Sequence, residues 1–342
     1  MRRLFGILLV CCAAAQVLVG LAGAGGASAA SATSHTSSSC VHRLLVLSAM
    51  PLELDPLLAH AKVESRPVVV NHRPFVDAEL GGNHVIMGLT GIGPENAQAA
   101  TDAAFARFLC SDGSPQISGV VFSGTSGGDY IGDVFVPSAW SDAGAPAVPV
   151  SSDMLTVAEQ APAPHLIQST PLGDPACLCE ATSGLLLPIT VQHVPTVSFG
   201  GTGLTTDPFG GRTLPCVATG NDVFGCTPCR EFDRDAADQL QALVGGAPAF
   251  LELSFFTGYA QSTAPAGDWV AEDDETAVVA QIAAQHSTPF IGFRAASDGA
   301  GDPLHLPGFP SEFFVYRQLA ADNAAAAALG FLTQWSSDHP SQ

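Results

Sequence analysis

Residues 43–58 read RLLVLSAMPLELDPLL, and this stretch has the pattern of a buried strand followed by a helix. Arg43–Ser48 is a short, almost uninterrupted apolar run, which is typical of a strand buried on both faces of a sheet. A helix should follow at residues 53–61, because leucine and alanine recur there at helical spacing. Pro56 falls near the start of that helix, where proline is tolerated.

The rest of the chain alternates between strand patterns and helix patterns. Further strands are predicted at 68–79, 84–89, 117–122, 134–137, 250–256 and 289–295. Helices, several of them rich in alanine, are predicted at 94–109, 233–244, 275–286 and 313–335. Such alternation is typical of a single α/β domain with a mostly parallel or mixed, twisted central sheet flanked by helices. We place this domain at residues 43–338, with a loop-rich insertion around 141–219.

Composition and charge exclude several classes of function. The 342-residue chain is 47% hydrophobic, which is too apolar for a disordered protein, and its formal net charge is −20. So acidic a protein repels phosphate backbones and anionic membranes, so we expect a small-molecule partner and no nucleic acid. The metal-binding motif H-E-x-x-H and the P-loop are absent from the sequence. We therefore predict no metal site and no cofactor.

The first thirty residues have the order of a secretory signal peptide. Two arginines open the chain, residues 4–21 are almost wholly apolar, and residues 27–29 read ASA, a small-residue cleavage site. We predict a signal peptide at 1–30, a flexible lead-in at 31–42, and a secreted or cell-envelope protein that is free of the membrane after cleavage. An uncleaved membrane anchor and a lipid anchor on an early cysteine are the alternatives.

Seven cysteines follow the leader, and disulfides are expected because an exported protein meets an oxidising environment. The seven are Cys40, Cys110, Cys177, Cys179, Cys216, Cys226 and Cys229. An odd number leaves at least one of them outside intramolecular pairs. A zinc site with four thiolate ligands, Cys177, Cys179, Cys226 and Cys229, is an alternative. The spacing of Cys177 and Cys179 is tighter than that of a usual zinc knuckle. Unpaired buried thiols are the other alternative.

Five short motifs, in order along the chain, resemble those of the methylthioadenosine/S-adenosylhomocysteine nucleosidases in the nucleoside phosphorylase superfamily. They are SAMPLE at 48–53, TGIG at 90–93, SGTSGG at 123–128 with GD at 132–133, EDDETA at 272–277, and PF…RAASD at 289–298. Each motif alone is weak, but the ordered set covers roughly residues 43–140 and 219–335. The resemblance implies a nucleoside substrate and a homodimer or larger homo-oligomer.

Cleaving a purine N-glycosidic bond requires protonation of the leaving base, negative charge near the sugar and an activated nucleophile. Two carboxyl groups in different environments commonly share this work. The resemblance implies that Asp298 is the general acid, oriented by Ser297, and that Glu53 activates water. The structural alternatives are a turn cap at Asp298 and a residue that stabilises a helix N-terminus at Glu53.

The resemblance also implies the substrate-binding residues. Glu275 would hold the ribose hydroxyls, the alternative being that the acidic run 272–275 is a solvated helix start. Phe224 would stack on the base, the alternative being a core residue, and Met50 would lie near the sugar. Asp274 stands where the family has methionine, so the surface under the sugar is expected to differ. Arg294 would pair either with an acidic site residue or with the sheet core. The remaining residues expected to line the pocket are Thr90, Gly91 and Gly124.

Three functions fit these observations. The first is hydrolysis of a purine nucleoside of the (thio)adenosine type. The second is phosphorolysis, which needs cations around the phosphate; the TGIG turn is not preceded by arginine, so water is favoured. The third is an exported storage or nucleoside-binding protein without catalysis, which the presence of Glu53, Glu275 and Asp298 argues against.

Overall fold

The computed structural model describes residues 40–143, 145–170, 188–207, 210–211, 268–309 and 311–339, all of them in one compact unit. The strands are β1 (Arg43–Ser48), β2 (Lys62–Val63), β3 (Val68–Val70), β4 (Arg73–Leu80), β5 (Asn83–Leu89), β6 (Ile117–Tyr130), β7 (Val134–Val136), β8 (Ala139–Asp142), β9 (Val148–Pro149), β10 (Val197–Phe199), β11 (Thr202–Thr205), β12 (Trp269–Asp273) and β13 (Phe290–Ala300). The helices are α1 (Pro51–Leu58), α2 (Pro94–Arg107), α3 (Ser152–Gln160), α4 (Thr276–Gln285) and α5 (Ser311–Asp338).

One mixed sheet runs through the described residues, and β1 lies near its middle. β1 is parallel to β5 on one side and to β6 on the other. β6 continues past β1 and pairs in parallel with β13, while β4 is antiparallel to β5. The predicted α/β fold with a mixed sheet flanked by helices is confirmed.

The alternation of side chains along β1 explains the two hydrophobic layers. Leu44 and Val46 belong to one buried cluster, which includes the apolar faces of α1, α3 and α5. Leu45 and Leu47 belong to the other, which includes α2 and α4. Burying such a side chain completely is worth about 1.5–3 kcal/mol, so this strand holds both layers of helices on the sheet.

Three elements are longer or shifted relative to the sequence prediction. α1 begins at Pro51, two residues before the predicted helix, so Pro56 lies inside it. β6 runs through the whole SGTSGG motif to Tyr130, and β13 runs past Asp298 to Ala300. The two strands pair with each other along this extension, with register shifts at Ala296/Asp298 and Asp298/Ala300. Mutual pairing therefore keeps both glycine-rich segments extended.

The segment predicted as a loop-rich insertion, 141–219, contributes to the sheet. Its described part contains α3 and the strands β9, β10 and β11. β11 lies between β8 and β12 and is parallel to both. The sequence of β11, TGLT, is too short and polar to be recognised as a strand. The helix predicted at 233–244 and the strand at 250–256 lie outside the described residues.

One expected disulfide is present, between Cys40 and Cys110, with a Cα–Cα distance of 5.5 Å. It joins the residues just before β1 to those just after α2. The other five cysteines beyond the leader lie outside the described residues, as does the leader itself. Across the described ranges, no helix is both long and apolar enough to cross a membrane.

Candidate functional site

Glu53 lies in the first turn of α1, which follows the carboxyl end of β1 in the sequence. Its side chain is 1% exposed. Oε2 accepts hydrogen bonds from the backbone N–H groups of Ala49 and Met50, at 2.9 and 3.0 Å. An acidic residue that binds free N–H groups at a helix N-terminus fixes the entry of the chain into the helix. The expected stabilising role at the helix start is therefore present.

The other oxygen of Glu53 reaches across to β6. Oε1 accepts from the backbone N–H of Thr125 at 2.8 Å and from its hydroxyl at 3.0 Å. Thr125 is 72 residues away in sequence and was not singled out there. This one carboxylate joins the exits of two parallel strands, the edge of an α/β sheet where ligands usually bind.

Arg294, on β13, pairs with acidic residues of the site, which was one of the two predicted options. Its guanidinium forms ion pairs with Asp273 at 2.8 Å, Glu275 at 3.1 Å and Glu53 at 3.8 Å. The same group lies 4.4 Å from the ring centre of Phe122, an additional cation–π contact. We call Arg294, Glu53, Asp273 and Glu275 the arginine cluster.

Asp273 is a member of the arginine cluster that the sequence did not single out. It ends β12 and is 5% exposed. Its carboxylate accepts from the Thr205 hydroxyl at 2.5 Å, from the Thr276 hydroxyl and from the Thr276 backbone N–H. Asp273 therefore ties β11 to the start of α4 and contributes the shortest ion pair of Arg294.

Glu275 lies at the N-cap of α4 and faces the TGIG turn. Its Oε1 accepts from the backbone N–H of Gly93 at 2.7 Å. Gly91 and Gly93 have φ of 82° and 93°, the left-handed region that glycine adopts freely. Thr90 anchors the turn by donating its backbone N–H to Ser48 O at 2.9 Å. Thr90 and Gly91 thus shape the turn that meets Glu275.

Gly124 is the point of closest approach between β6 and the arginine cluster. A Cβ built on it would lie 2.5 Å from Nη1 of Arg294 and 2.7 Å from Oε1 of Glu53. Both of these groups are held by other bonds, so neither can move away cheaply. Only glycine at this position lets the guanidinium and the carboxylate come together.

The arginine cluster has three carboxyl groups and one cation, and burial favours the protonated form of Glu275 and of its sequence neighbour Asp274. Burial raises the pKa of Glu275 to about 8, although Arg294 opposes the shift. Burial, followed by the charges of Glu275 and Asp273, raises the pKa of Asp274 well above its usual range. Burial alone would lower the pKa of Arg294, but the carboxylates around it raise that pKa overall.

Asp298 lies four residues beyond Arg294 on β13, opposite Gly127 of β6. The Ser297 hydroxyl donates to its Oδ1 at 2.9 Å. The residue is partly exposed. Burial of the carboxyl group, together with the charges of Glu312 and Glu272, raises its pKa to about 7, against the lowering effect of Ser297. This carboxyl group can carry a proton at neutral pH.

Glu272 and Glu312 were not singled out from the sequence, and both act on Asp298. Glu272 of β12 pairs with Gly127 of β6, the same residue that Asp298 pairs with from β13. Burial raises the pKa of both glutamates. We call Asp298, Ser297, Glu272 and Glu312 the Asp298 group. It and the arginine cluster are linked by β13 and by neighbouring residues of β12.

The remaining predicted site residues are placed as follows. Met50 is buried, and its backbone N–H binds Glu53. Asp274 is partly buried, and its Oδ1 accepts a hydrogen bond from the Thr206 hydroxyl at 3.4 Å. Phe224 lies outside the described residues. Within the described ranges, no group of three or more His, Cys, Asp or Glu side chains is arranged to hold a metal ion.

Comparison with known proteins places this geometry in a family. The sequence profile of the phosphorylase superfamily matches residues 43–214. The chain belongs to the phosphorylase superfamily. Two relatives are uncharacterized proteins of Mycobacterium tuberculosis. Rv2293c is 39% identical over 197 residues, which is 55% of this chain and 78% of the relative. Rv2292c is 56% identical over 66 residues, which is 19% of this chain and 89% of the relative.

Solved structures share the fold of this phosphorylase superfamily member. The 5′-methylthioadenosine/S-adenosylhomocysteine nucleosidase from Colwellia psychrerythraea, in complex with adenine, has a TM-score of 0.52 at 19% identity, covering 86% of this chain and 96% of that one. Futalosine hydrolase of Helicobacter pylori has a TM-score of 0.50 at 14% identity, covering 87% and 98%. The predicted family and its nucleosidase-like fold are confirmed.

Proposed function

We propose that this protein is an N-glycosidic hydrolase that cleaves a purine nucleoside of the (thio)adenosine type. Asp298 protonates the leaving base, Glu53 activates the attacking water, and Glu275 binds the ribose hydroxyls. The observation that carries the proposal is that Glu53 and Glu275 both form ion pairs with Arg294. Arg294 lies on β13, the strand that also bears Asp298. The shared fold with nucleosidases supports it.

The Asp298 carboxyl group is suited to proton donation. A general acid works best when its pKa is near the working pH, and burial raises the pKa of Asp298 to about 7. Its partial exposure lets a substrate reach it. Protonation of the purine at N7 would then neutralise the base as the glycosidic bond breaks.

Glu53 can bind water only if one of its four hydrogen-bond donors moves aside. Three of these donors are backbone N–H groups, which are fixed by β1, α1 and β6. The fourth is the Thr125 hydroxyl, which can rotate away by turning about one bond. Water would take its place on Oε1, next to the guanidinium of Arg294.

The charges of the arginine cluster favour water over phosphate as the nucleophile. Arg294 is 1% exposed, and its charge is already shared among three carboxyl groups. A phosphate anion would add negative charge to a site where carboxyl groups outnumber the cation. A cation-like sugar in the transition state would instead be stabilised by Glu275 and its neighbours.

The proposal includes export of the protein, which the disulfide Cys40–Cys110 supports, because disulfides persist in oxidising compartments. After leader cleavage we expect no membrane attachment. A homodimer or larger homo-oligomer is part of the same proposal.

The test is release of free base from a panel of purine nucleosides, including methylthioadenosine, with and without inorganic phosphate. We expect release without phosphate, and a loss of about 10²–10⁴-fold in kcat for Asp298→Asn, the usual contribution of a general acid. Asp129→Asn is the matched control, because Asp129 is an exposed carboxylate near the end of the neighbouring strand β6.

Each contrary outcome overturns a different part of the proposal. Strict dependence on phosphate would indicate a phosphorylase. Full activity in Asp298→Asn would remove Asp298 from the mechanism. Tight nucleoside binding with no base release from any substrate would support the storage or binding protein instead.

A further inference from the structure

The peptide that follows Asp298 is held by a carboxylate from another element. Glu312 lies in the first turn of α5, and its Oε2 accepts from the backbone N–H of Gly299 at 2.9 Å. Glu312 is 6% exposed, so water competes little for this bond. The sequence separates the two residues by 13 positions, and no motif pointed to the contact.

The strand pairing is irregular around Asp298, so the hydrogen bond between Gly299 and Glu312 matters for the position of Asp298. The pairing of β13 with β6 shifts register on both sides of Asp298. Gly299 has φ of 152°, and a Cβ there would collide with the carbonyl oxygen of Gly128. Where ladder bonds are interrupted, a side-chain acceptor that binds the free N–H fixes the peptide plane.

We infer that Glu312 is a positioning residue that aims the Asp298 carboxyl group and sets its charge state. This inference rests on the proposed function in one respect, which is that Asp298 acts as the general acid. Neither the contact between Glu312 and Gly299 nor the expected effect on the charge of Asp298 depends on catalysis.

The charged groups that act on Asp298 come from two elements. Glu312 acts from α5 and Glu272 from β12, and both are acidic. Like charges disfavour ionisation of a neighbouring carboxyl group, so both raise the pKa of Asp298. Glu312 itself faces Asp302, whose carboxylate accepts from the backbone N–H groups of Leu304 and Leu306 and from the Tyr316 hydroxyl.

Two conservative variants separate the two parts of the role. Glu312→Gln keeps an oxygen that can accept from Gly299 but removes the charge. Glu312→Asp keeps the charge but is one methylene shorter, so it reaches Gly299 poorly. Asp322→Asn is the matched control, since Asp322 is a partly buried acid on the same helix, ten residues or about 15 Å further along.

The experiment combines a titration with a pH–rate profile. The midpoint of Asp298 is measured by carboxyl ¹³C NMR in the ligand-free protein, with Asp298→Asn to assign the signal. The profile of kcat/KM is measured with the nucleoside that the wild type cleaves. Because the acid must be protonated, the rate falls as pH rises through the pKa of Asp298.

For Glu312→Gln we expect the Asp298 midpoint, and the alkaline limb of kcat/KM, to move down by on the order of one pH unit. Its kcat on the acid side of that limb should stay within about twofold of the wild type. For Glu312→Asp we expect the midpoint to stay and kcat to fall about tenfold or more at every pH, since a misplaced acid loses rate steeply. Asp322→Asn should change neither.

An Asp298 midpoint that is unchanged or higher in Glu312→Gln would overturn the inference, even in an active enzyme. A lowered midpoint in a protein that cleaves no nucleoside would support the contact and its charge effect, and would sink the proposed function alone. Full kcat in Glu312→Asp would remove the positioning part.

Discussion

The arginine cluster and the Asp298 group are built from the same kinds of residue but are balanced differently. In the cluster, Glu53 and Asp273 are held by a buried guanidinium, backbone N–H groups and threonine hydroxyls. In the Asp298 group, a serine hydroxyl is the partner of Asp298, and its charged neighbours are acidic. The first arrangement surrounds its carboxyl groups with hydrogen-bond donors and a cation, and the second favours a protonated carboxyl group.

The difference shows how one side-chain type can take two roles. A carboxylate that is surrounded by donors stabilises positive charge and binds hydroxyl groups, as required near a sugar. A carboxyl group that is desolvated and lies near other acids keeps its proton until neutral pH, as required near a leaving base. Glu275 combines the two environments, because it contacts Arg294 yet has its pKa raised to about 8.

Removing the cation should disrupt the cluster most severely. Arg294→Met leaves the buried Glu53, Asp273 and Glu275 without their common partner. We expect the free energy of unfolding to fall by about 3–5 kcal/mol, as when a buried ion pair loses one member. Urea unfolding measures it. Arg107→Met, at an exposed arginine of α2, is the control and should stay within about 0.5 kcal/mol. A loss below about 1 kcal/mol at Arg294 would show that the cluster is not a unit.

Crowding the cluster should have a smaller effect. In Gly124→Ala the new methyl group would press on Nη1 of Arg294 and Oε1 of Glu53. We expect a loss of about 1–3 kcal/mol, typical of overpacking a buried site. In Gly330→Ala, on α5, the nearest atom to the new Cβ is 3.7 Å away, so the higher helix propensity of alanine should leave stability equal or raised. Equal behaviour of the two variants would contradict the close approach at Gly124.

A further expected effect concerns the pH dependence of stability. Unfolded carboxyl groups ionise near pH 4, whereas Asp298 and Glu275 hold their protons in the folded state to about pH 7 and 8. Between these limits the folded state binds more protons than the unfolded state. The free energy of unfolding should therefore fall as pH rises from about 5 to 8, by on the order of 1 kcal/mol per pH unit at most for each group.

Two variants sharpen that pH test. Asp298→Asn should flatten the part of the slope below about pH 7, and Glu275→Gln the part that extends to about pH 8. Asp129→Asn, at an exposed position, should leave the slope unchanged. Thermal unfolding at several pH values is the measurement. A stability that rises with pH across this range would mean that the two carboxyl groups are not protonated in the folded protein.

Much of the fold was predictable from the sequence, because apolar periodicity marks buried strands and helices. β1 has the predicted bounds, α2 begins where predicted and ends two residues earlier, and α4 is one residue shorter at each end. The extension of β6 was not predictable, since glycine-rich segments are usually turns. It is stabilised by pairing with β13, which lies more than 150 residues further along the chain.

The candidate site was predictable where a motif marked it and not elsewhere. The resemblance identified Glu53, Glu275 and Asp298, but the run EDDE did not show which acid faces Arg294. The alternation of strand residues offered a weak signal, since Ala271 and Asp273 are both buried while Glu272 between them is less so. Glu312 carried no such signal, because a glutamate in the first turn of a helix is common.

The most direct test of the two roles is a crystal structure of the protein with adenine and a ribose analogue bound near pH 6. We expect N7 of adenine within hydrogen-bond distance of the Asp298 carboxyl group, and the sugar hydroxyls on Glu275. Adenine bound elsewhere would contradict the division of roles between the Asp298 group and the arginine cluster. One such place is the cavity of about 550 Å³ beside Phe199 and Phe293.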